Sequence, residues 1–263
     1  MNETRSYFTD GLAYERLMGR WSRAVGEVFL DWLAPAKDQK WLDVGCGTGA
    51  FTDLVLQRCA PSHISGIDPA EAQLGFARGR LKGARADFRV GDAQSLPFAG
   101  SSFDVAAMAL VISFIPDAAK AVAEMRRVVR PGGAAAAYMW DGLGGGSIQQ
   151  PIYDALTAMN VAVPASPLRE NSHIDAMARL FEGAGLAQVA TRVIEIQVSF
   201  PNFDDYWSTQ TALANTAVQA MQRLSAADLA RLKDDLRRRL PTDRDGRIAY
   251  AARANAVKGR VPG

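Results

Sequence analysis

An open, doubly wound and mostly parallel α/β sheet is the fold this sequence predicts, and three observations predict it. Strand-like and helix-like segments alternate from residue 41 to residue 140. A turn of three glycines joins the first strand to the first helix of that series. Residues 103–110 are apolar on both faces, as a central parallel strand covered by helices must be.

The remaining composition is compatible with such a domain. The chain has 263 residues, 48% hydrophobic and 22% charged, enough apolar side chain to fill a core and too much for disorder. A net charge of +2 gives no electrostatic footprint for a nucleic-acid partner. The longest uncharged apolar run, residues 105–116, falls well short of the ~20 residues that span a bilayer. The N-terminus has no apolar stretch resembling a secretory signal, and the two cysteines, Cys46 and Cys59, give no disulfide framework. A cytoplasmic location is therefore expected.

Taken in order, Tyr14, Leu17, Met18, Trp21, Val25, Phe29 and Trp32 recur at three- and four-residue steps, which predicts an amphipathic helix over 11–33, ended by Pro35. Residues 41–44 form a strand, 50–59 a helix, 63–67 a strand, and a helix with Pro69 in its first turn runs to about residue 80. Residues 85–90 are a third strand. Asp117 N-caps a helix through 130 that Pro131-Gly132-Gly133 stops, and 134–140 make the fifth strand. Residues 141–171, with a Gly144-Gly145-Gly146 run, read as an insertion over the sheet's carboxyl edge, with a short helix at 153–159. Ser172-His173-Ile174-Asp175 has capping-box form and opens a helix ending near Gly185. A strand over 188–200, a mostly helical stretch over 203–240 and a last strand over 247–257 complete the chain. The expected divisions are a helical lid (1–36), a ligand-binding core (37–140) and a remainder (141–263) that completes the sheet.

The informative stretch is Trp41-Leu42-Asp43-Val44-Gly45-Cys46-Gly47-Thr48-Gly49. Glycines let the backbone turn sharply and let a ligand touch the main chain, and the helix start beyond favours a carboxylate or phosphate. Asp68 ends the second strand, where a carboxylate accepts both hydroxyls of a ribose. Asp92, Ala93 and Gln94 end the third, beside an adenine, and Asp43 stands two residues before the loop, where it would face an ammonium. Together these ask for a ligand bearing adenosine, an amine and a carboxylate, and no pyrophosphate.

The run 42–49, with Gly66-Ile67-Asp68-Pro69, Gly91-Asp92-Ala93-Gln94-Ser95-Leu96-Pro97-Phe98, Ser102-Phe103-Asp104 and Arg130-Pro131-Gly132-Gly133, resembles the class I S-adenosylmethionine-dependent methyltransferases. The likeness covers residues 40–140 and is strongest to the small-molecule branch containing the ubiquinone and menaquinone C-methyltransferases (the methyltransferase type 11 domain). It implies a Rossmann-like, seven-stranded sheet whose last strand runs antiparallel, and S-adenosyl-L-methionine as cofactor. Gly45, Cys46, Gly47 and Gly49 would hold its methionine end, Asp68 and Pro69 its ribose, and Asp92, Ala93 and Gln94 its adenine. Leu110 would line the other side. Methyl transfer to a small, partly apolar acceptor by in-line SN2 displacement then needs alignment more than acid–base power.

Two residues are candidates for a base: Asp141, which either orients an acceptor or caps a turn, and His173, at a helix start. His63 begins a strand, at the wrong edge. Tyr14 and Arg20 would let the N-terminal helix close over the cofactor, Arg20 pairing with its carboxylate, or the stripe is plain packing. No aspartate pair suited to a metal follows the strands, and the Asn/Asp-Pro-Pro-aromatic run of nucleic-acid amino-methylating enzymes is missing after the fourth. Residues 231–260 carry ten basic and four acidic residues, a solvated face or one that draws an anionic substrate. Two rival readings remain: a nicotinamide-dependent (NAD(P)) oxidoreductase, since Gly45, Gly47 and Ala50 fit the dinucleotide spacing, and a cofactor-binding protein without turnover. The acceptor's identity, the atom methylated and the oligomeric state are not encoded in any of these motifs.

Overall fold

The fold is described from a computed structural model covering residues 11–164, 168–212 and 215–263, with residues 11–18 described by backbone alone. A helix α1 (Gly11–Leu33) precedes the alternating series β1 (Lys40–Val44), α2 (Ala50–Cys59), β2 (His63–Asp68), α3 (Glu71–Arg80), β3 (Ala86–Val90), β4 (Phe103–Ala109), α4 (Ala118–Val128) and β5 (Val129–Trp140). Then follow α5 (Gln150–Ala158), α6 (Ile174–Gly183), β6 (Ala187–Phe200), α7 (Phe203–Thr211), α8 (Thr216–Met221), α9 (Ala226–Arg239) and β7 (Ile248–Arg260).

The seven strands lie in the order β3-β2-β1-β4-β5-β7-β6, and β7 alone runs against the rest. This is the Rossmann-like sheet expected of a class I methyltransferase fold. Strand order reverses between β1 and β4, and a crevice opens outside their carboxyl ends at such a switch point. One face of the sheet is covered by α1, α2, α5, α7, α8 and α9. There Phe29, fully buried, lies 4.8 Å from the Tyr138 ring, and Trp21 lies 4.8 Å from Phe200. The other face is covered by α4 and α6, through Val122, Met125, Met177 and Phe181. Burying one such large side chain contributes about 1.5–3 kcal/mol. The described half of α1 is thus a core helix of this layer, so the apolar stripe serves packing. None of the helices among the described residues is long and apolar enough to cross a membrane.

Two local readings change. The segment Pro131-Gly132-Gly133 does not stop α4, which already ends at Val128, but lies inside β5. The β4–β5 register shifts between Phe103 and Val105. A Cβ on Gly133 would sit 2.6 Å from the Asp104 carbonyl oxygen, so the irregular pairing needs a glycine there. Helix α6 is N-capped by His173, not Ser172, whose hydroxyl donates to the Arg169 carbonyl instead.

One feature of the register matters for the site. Strand β5 ends where Trp140 pairs with Ala254, yet β7 continues back to Ile248 with β6 as its one strand partner among the described residues. Six residues at ~3.4 Å each make β6 and β7 a two-stranded wall standing ~20 Å above the carboxyl edge of β5.

Candidate functional site

The β1–α2 turn is built by spending its own amides. Gly45 and Cys46 N–H both donate to the Ile67 carbonyl, at 2.8 and 2.9 Å. Gly47 N–H donates to Asp68 Oδ2 at 3.0 Å, and Gly49 N–H to the Cys46 carbonyl at 2.9 Å. Four loop donors therefore face inward rather than towards a ligand. Gly45 has φ +75°, and a Cβ there would meet Val111 Cγ1 at 2.6 Å, so loop and post-β4 segment touch through a bare backbone. At Gly47 a Cβ would find Gln73 Oε1 at 3.8 Å as its nearest neighbour among the described residues, which leaves that side of the turn approachable.

Asp68 is half-buried at the end of β2. Its Oδ1 accepts Ala70 N–H at 2.8 Å, and Oδ2 accepts Gly47 N–H, so each oxygen keeps a lone pair for a further donor. Burial pushes its carboxyl above the usual range, against those two hydrogen bonds. Asp43 lies beneath the loop, fully buried. Its Oδ2 accepts the Thr52 hydroxyl at 2.6 Å, while Oδ1 has no partner among the described residues. Desolvation raises its pKa to about 7, with the nearby Asp68 charge adding to the rise. Two positions before the turn the Asp43 side chain lies under the loop, where it holds α2 through Thr52. The two carboxyls still make this corner of the crevice electronegative.

Beyond β3, Asp92 Oδ1 accepts the Gln94 backbone N–H at 2.8 Å and its side-chain amide at 3.1 Å. The Gln94 Oε1 in turn accepts Asp117 N–H at 3.1 Å. Glu124 accepts Leu96 N–H, and Arg127 donates to the Leu96 and Phe98 carbonyls, so α4 clamps this loop. Leu110 follows β4 with φ +61° and donates its N–H to the Tyr138 carbonyl. A branched side chain held in the left-handed region costs of order 1–3 kcal/mol, and such strain gathers where a site must be shaped.

The glycine turn, Asp68 with Pro69, Asp92 with Ala93 and Gln94, and Leu110 all stand at the carboxyl ends of β1 to β4. Cys46 belongs to the turn by its backbone, but its thiol packs towards Gly66, 2.9 Å from where a Cβ would sit there, and burial keeps it protonated. The other candidates lie elsewhere or are engaged. Arg20 pairs with Asp205 at 3.5 Å and covers the Trp21 ring at 4.1 Å, which accounts for its cation without a cofactor carboxylate. Tyr14 falls outside the described side chains. Asp141 caps its own turn: Oδ1 accepts Gly144 N–H at 2.8 Å and Oδ2 lies 3.5 Å from Arg253. His173 accepts Asp175 N–H at 3.4 Å and lines a groove of about 690 Å³ between α4 and α6, whose lining includes none of the glycine turn, Asp68 or Asp92. Thr52, Val111, Glu124 and Arg127 were missed by motif reading; only their three-dimensional contacts mark them.

Residues 42–137 match the family described as "Methyltransferase domain". The chain is 39% identical over 111 residues to the ubiquinone/menaquinone biosynthesis C-methyltransferase UbiE of Roseobacter denitrificans, covering 41% of this chain and 44% of that protein. It is 38% identical over 132 residues to the biotin biosynthesis bifunctional protein BioHC of Cellvibrio japonicus, covering 50% of this chain and 26% of that one. The matched stretch thus spans less than half the length of these relatives. Among solved structures, the fold is similar to YcgJ of Bacillus subtilis (TM-score 0.60, 18% identity, 91% of this chain and 99% of that one). It is also similar to phosphoethanolamine N-methyltransferase 2 of Haemonchus contortus in complex with S-adenosyl-L-methionine (TM-score 0.62, 18% identity, 100% and 61%).

Proposed function

We propose that this chain, whose residues 42–137 match a methyltransferase domain, catalyses S-adenosylmethionine-dependent methyl transfer to a small, partly apolar acceptor. One observation carries the reading: the turn after β1 directs its amides inward and stands over two carboxyls, Asp43 and Asp68. A pyrophosphate needs outward amides and a positive corner. A ligand with ribose hydroxyls and positive charge needs the reverse. The NAD(P) alternative is correspondingly disfavoured.

The residues present fit that cofactor. Asp68 keeps a free lone pair on each oxygen for ribose hydroxyls, with Pro69 beside it. Gly45, Cys46, Gly47 and Gly49 offer backbone to the methionine end, on the side of Gly47 that a side chain would fill. Asp92, Ala93 and Gln94 would meet the adenine, and Leu110 would close the opposite side. When bound, the cofactor supplies a methyl group already activated by sulfonium charge. The protein's own contribution is to hold the acceptor in line at contact distance, which is worth ~7–11 kcal/mol of barrier. Strand ends and α4-clamped loops do this more rigidly than free loops. In this reading residues 37–140 hold the cofactor and 141–263 build the acceptor pocket. Asp141 and His173 are engaged in caps, and no base is required of them.

Calorimetric titration with S-adenosylhomocysteine and with NADH tests the binding half of the proposal. Binding of the first and not the second is expected; the opposite result would overturn it. Release of S-adenosylhomocysteine in the presence of an acceptor separates a turning-over enzyme from a protein that only binds.

A further inference from the structure

Helix α7 carries an oddity that packing does not explain. Tyr206 and Gln210 are 0% and 1% exposed, yet the Tyr206 hydroxyl and both polar atoms of the Gln210 amide have no hydrogen-bond partner among the described residues. Spaced by four, they share one face of the helix, with Cβ atoms about 5–6 Å apart. Buried polar groups are normally paired, because leaving one unmade costs its full desolvation. Three such atoms on one turn are expensive unless something else supplies partners.

Their place in the fold says what that would be. Tyr206 stands against the β6–β7 wall that rises above the carboxyl edge: its ring lies 5.1 Å from Phe200, 6.4 Å from Tyr250 and 5.9 Å from Phe203. Trp140, at the end of β5 on the same edge, also has an unpaired indole N–H among the described residues. Charged side chains of α1, α7 and α9 beside Tyr206 pair with one another or lie over ring faces. Asp205 pairs with Arg20, both about half exposed, Arg237 covers the Phe203 ring, and Lys233 covers Trp207. Aromatic walls with an unpaired donor and acceptor, whose neighbouring cations Arg20 and Arg237 already lie over the Phe200 and Phe203 rings, suit a neutral cyclic group.

We propose that Tyr206 and Gln210 form the specificity subsite for the methyl acceptor, receiving an uncharged ring-bearing molecule whose polar group both donates and accepts hydrogen bonds. This rests on the methyl-transfer reading and names its acceptor class. Entry requires α7 to shift from its closed position, whose outer tie is the exposed Arg20–Asp205 pair. The Gln210 amide then accepts and donates across the acceptor's polar group, and the Tyr206 hydroxyl completes the set.

The test uses the full chain with ¹⁵N in glutamine side chains, titrated with benzamide and with its charged analogue benzoate, in the presence of S-adenosylhomocysteine. Benzamide is expected to move the Gln210 side-chain resonance, and benzoate is not. Tyr206→Phe and Gln210→Leu are expected to weaken benzamide at least ~tenfold while leaving the thermal midpoint of the free protein unchanged or higher, since each removes an unpaired atom. A lowered midpoint in the isosteric Tyr206→Phe would show that the hydroxyl is internally bonded, and would overturn the proposal. So would an equal response to benzoate, or no response to benzamide while S-adenosylhomocysteine binds. If benzamide moved Gln210 but S-adenosylhomocysteine failed to bind, the subsite would stand and the methyl-transfer reading would fall.

Discussion

Asp43 makes the pH dependence of stability a sharp measurement. Its carboxyl is fully buried beneath the glycine turn, with one oxygen bonded to Thr52 and the other unpaired among the described residues. Burial raises its pKa from 3.8 to about 7. In the unfolded chain the group loses its proton near pH 4; in the folded protein it keeps it to about pH 7. Between these values the folded state binds more protons, so stability falls as pH rises across that window and levels off above it. A displacement of this size corresponds to about 4 kcal/mol in all. The substitution Asp43→Asn keeps an oxygen for the Thr52 hydroxyl and removes the titration. Urea denaturation of both proteins from pH 5 to pH 8.5 checks the difference. The variant is expected to gain on the parent by ~1.4 kcal/mol per pH unit up to about pH 7, then run parallel to it. Stability curves that stay parallel throughout would refute the claim that a buried carboxyl is ionised at a cost beneath this turn.

Other outcomes follow from the same geometry. Asp68→Ala is expected to weaken S-adenosylhomocysteine by ~1.5–3 kcal/mol, the scale for hydrogen bonds to a charged group, with calorimetry as the readout and unchanged affinity counting against the ribose assignment. Gly45→Ala places a Cβ 2.6 Å from Val111 at a φ of +75°, so thermal stability and cofactor affinity should both drop. Val111→Ala in the same chain should restore part of the loss, leaving only the backbone strain. Arg20→Ala breaks an exposed pair with Asp205; cofactor affinity should stay unchanged, and stability within ~1 kcal/mol by chemical denaturation.

The fold's order was legible because its signals are local. Alternating apolar segments, the glycine turn and the acids at strand ends mark β1 to β4 and their crossovers within a residue or two, and a carboxylate at a strand's last position reads as a site residue without its neighbours. Failures came where local signals compete with pairing. Pro131-Gly132-Gly133 has the chemistry of a helix stop, yet the β4–β5 ladder draws it into a strand as a bulge. Arg20, beside an apolar stripe, is indistinguishable in sequence from a ligand-binding cation; its partner Asp205 lies 185 residues away.

What the chain determined by itself is the class of sheet, its switch point and the acids that line it, since these depend on period, glycine and spacing. Tertiary structure alone decided that Asp43 turns under the loop, that the loop amides are already spent on Ile67 and Asp68, and that β6 and β7 outrun β5 to raise a wall against which α7 packs Tyr206. The reason is physical. Whether a polar atom is satisfied, buried or free depends on what long-range folding brings against it, and no window along the sequence contains that neighbour.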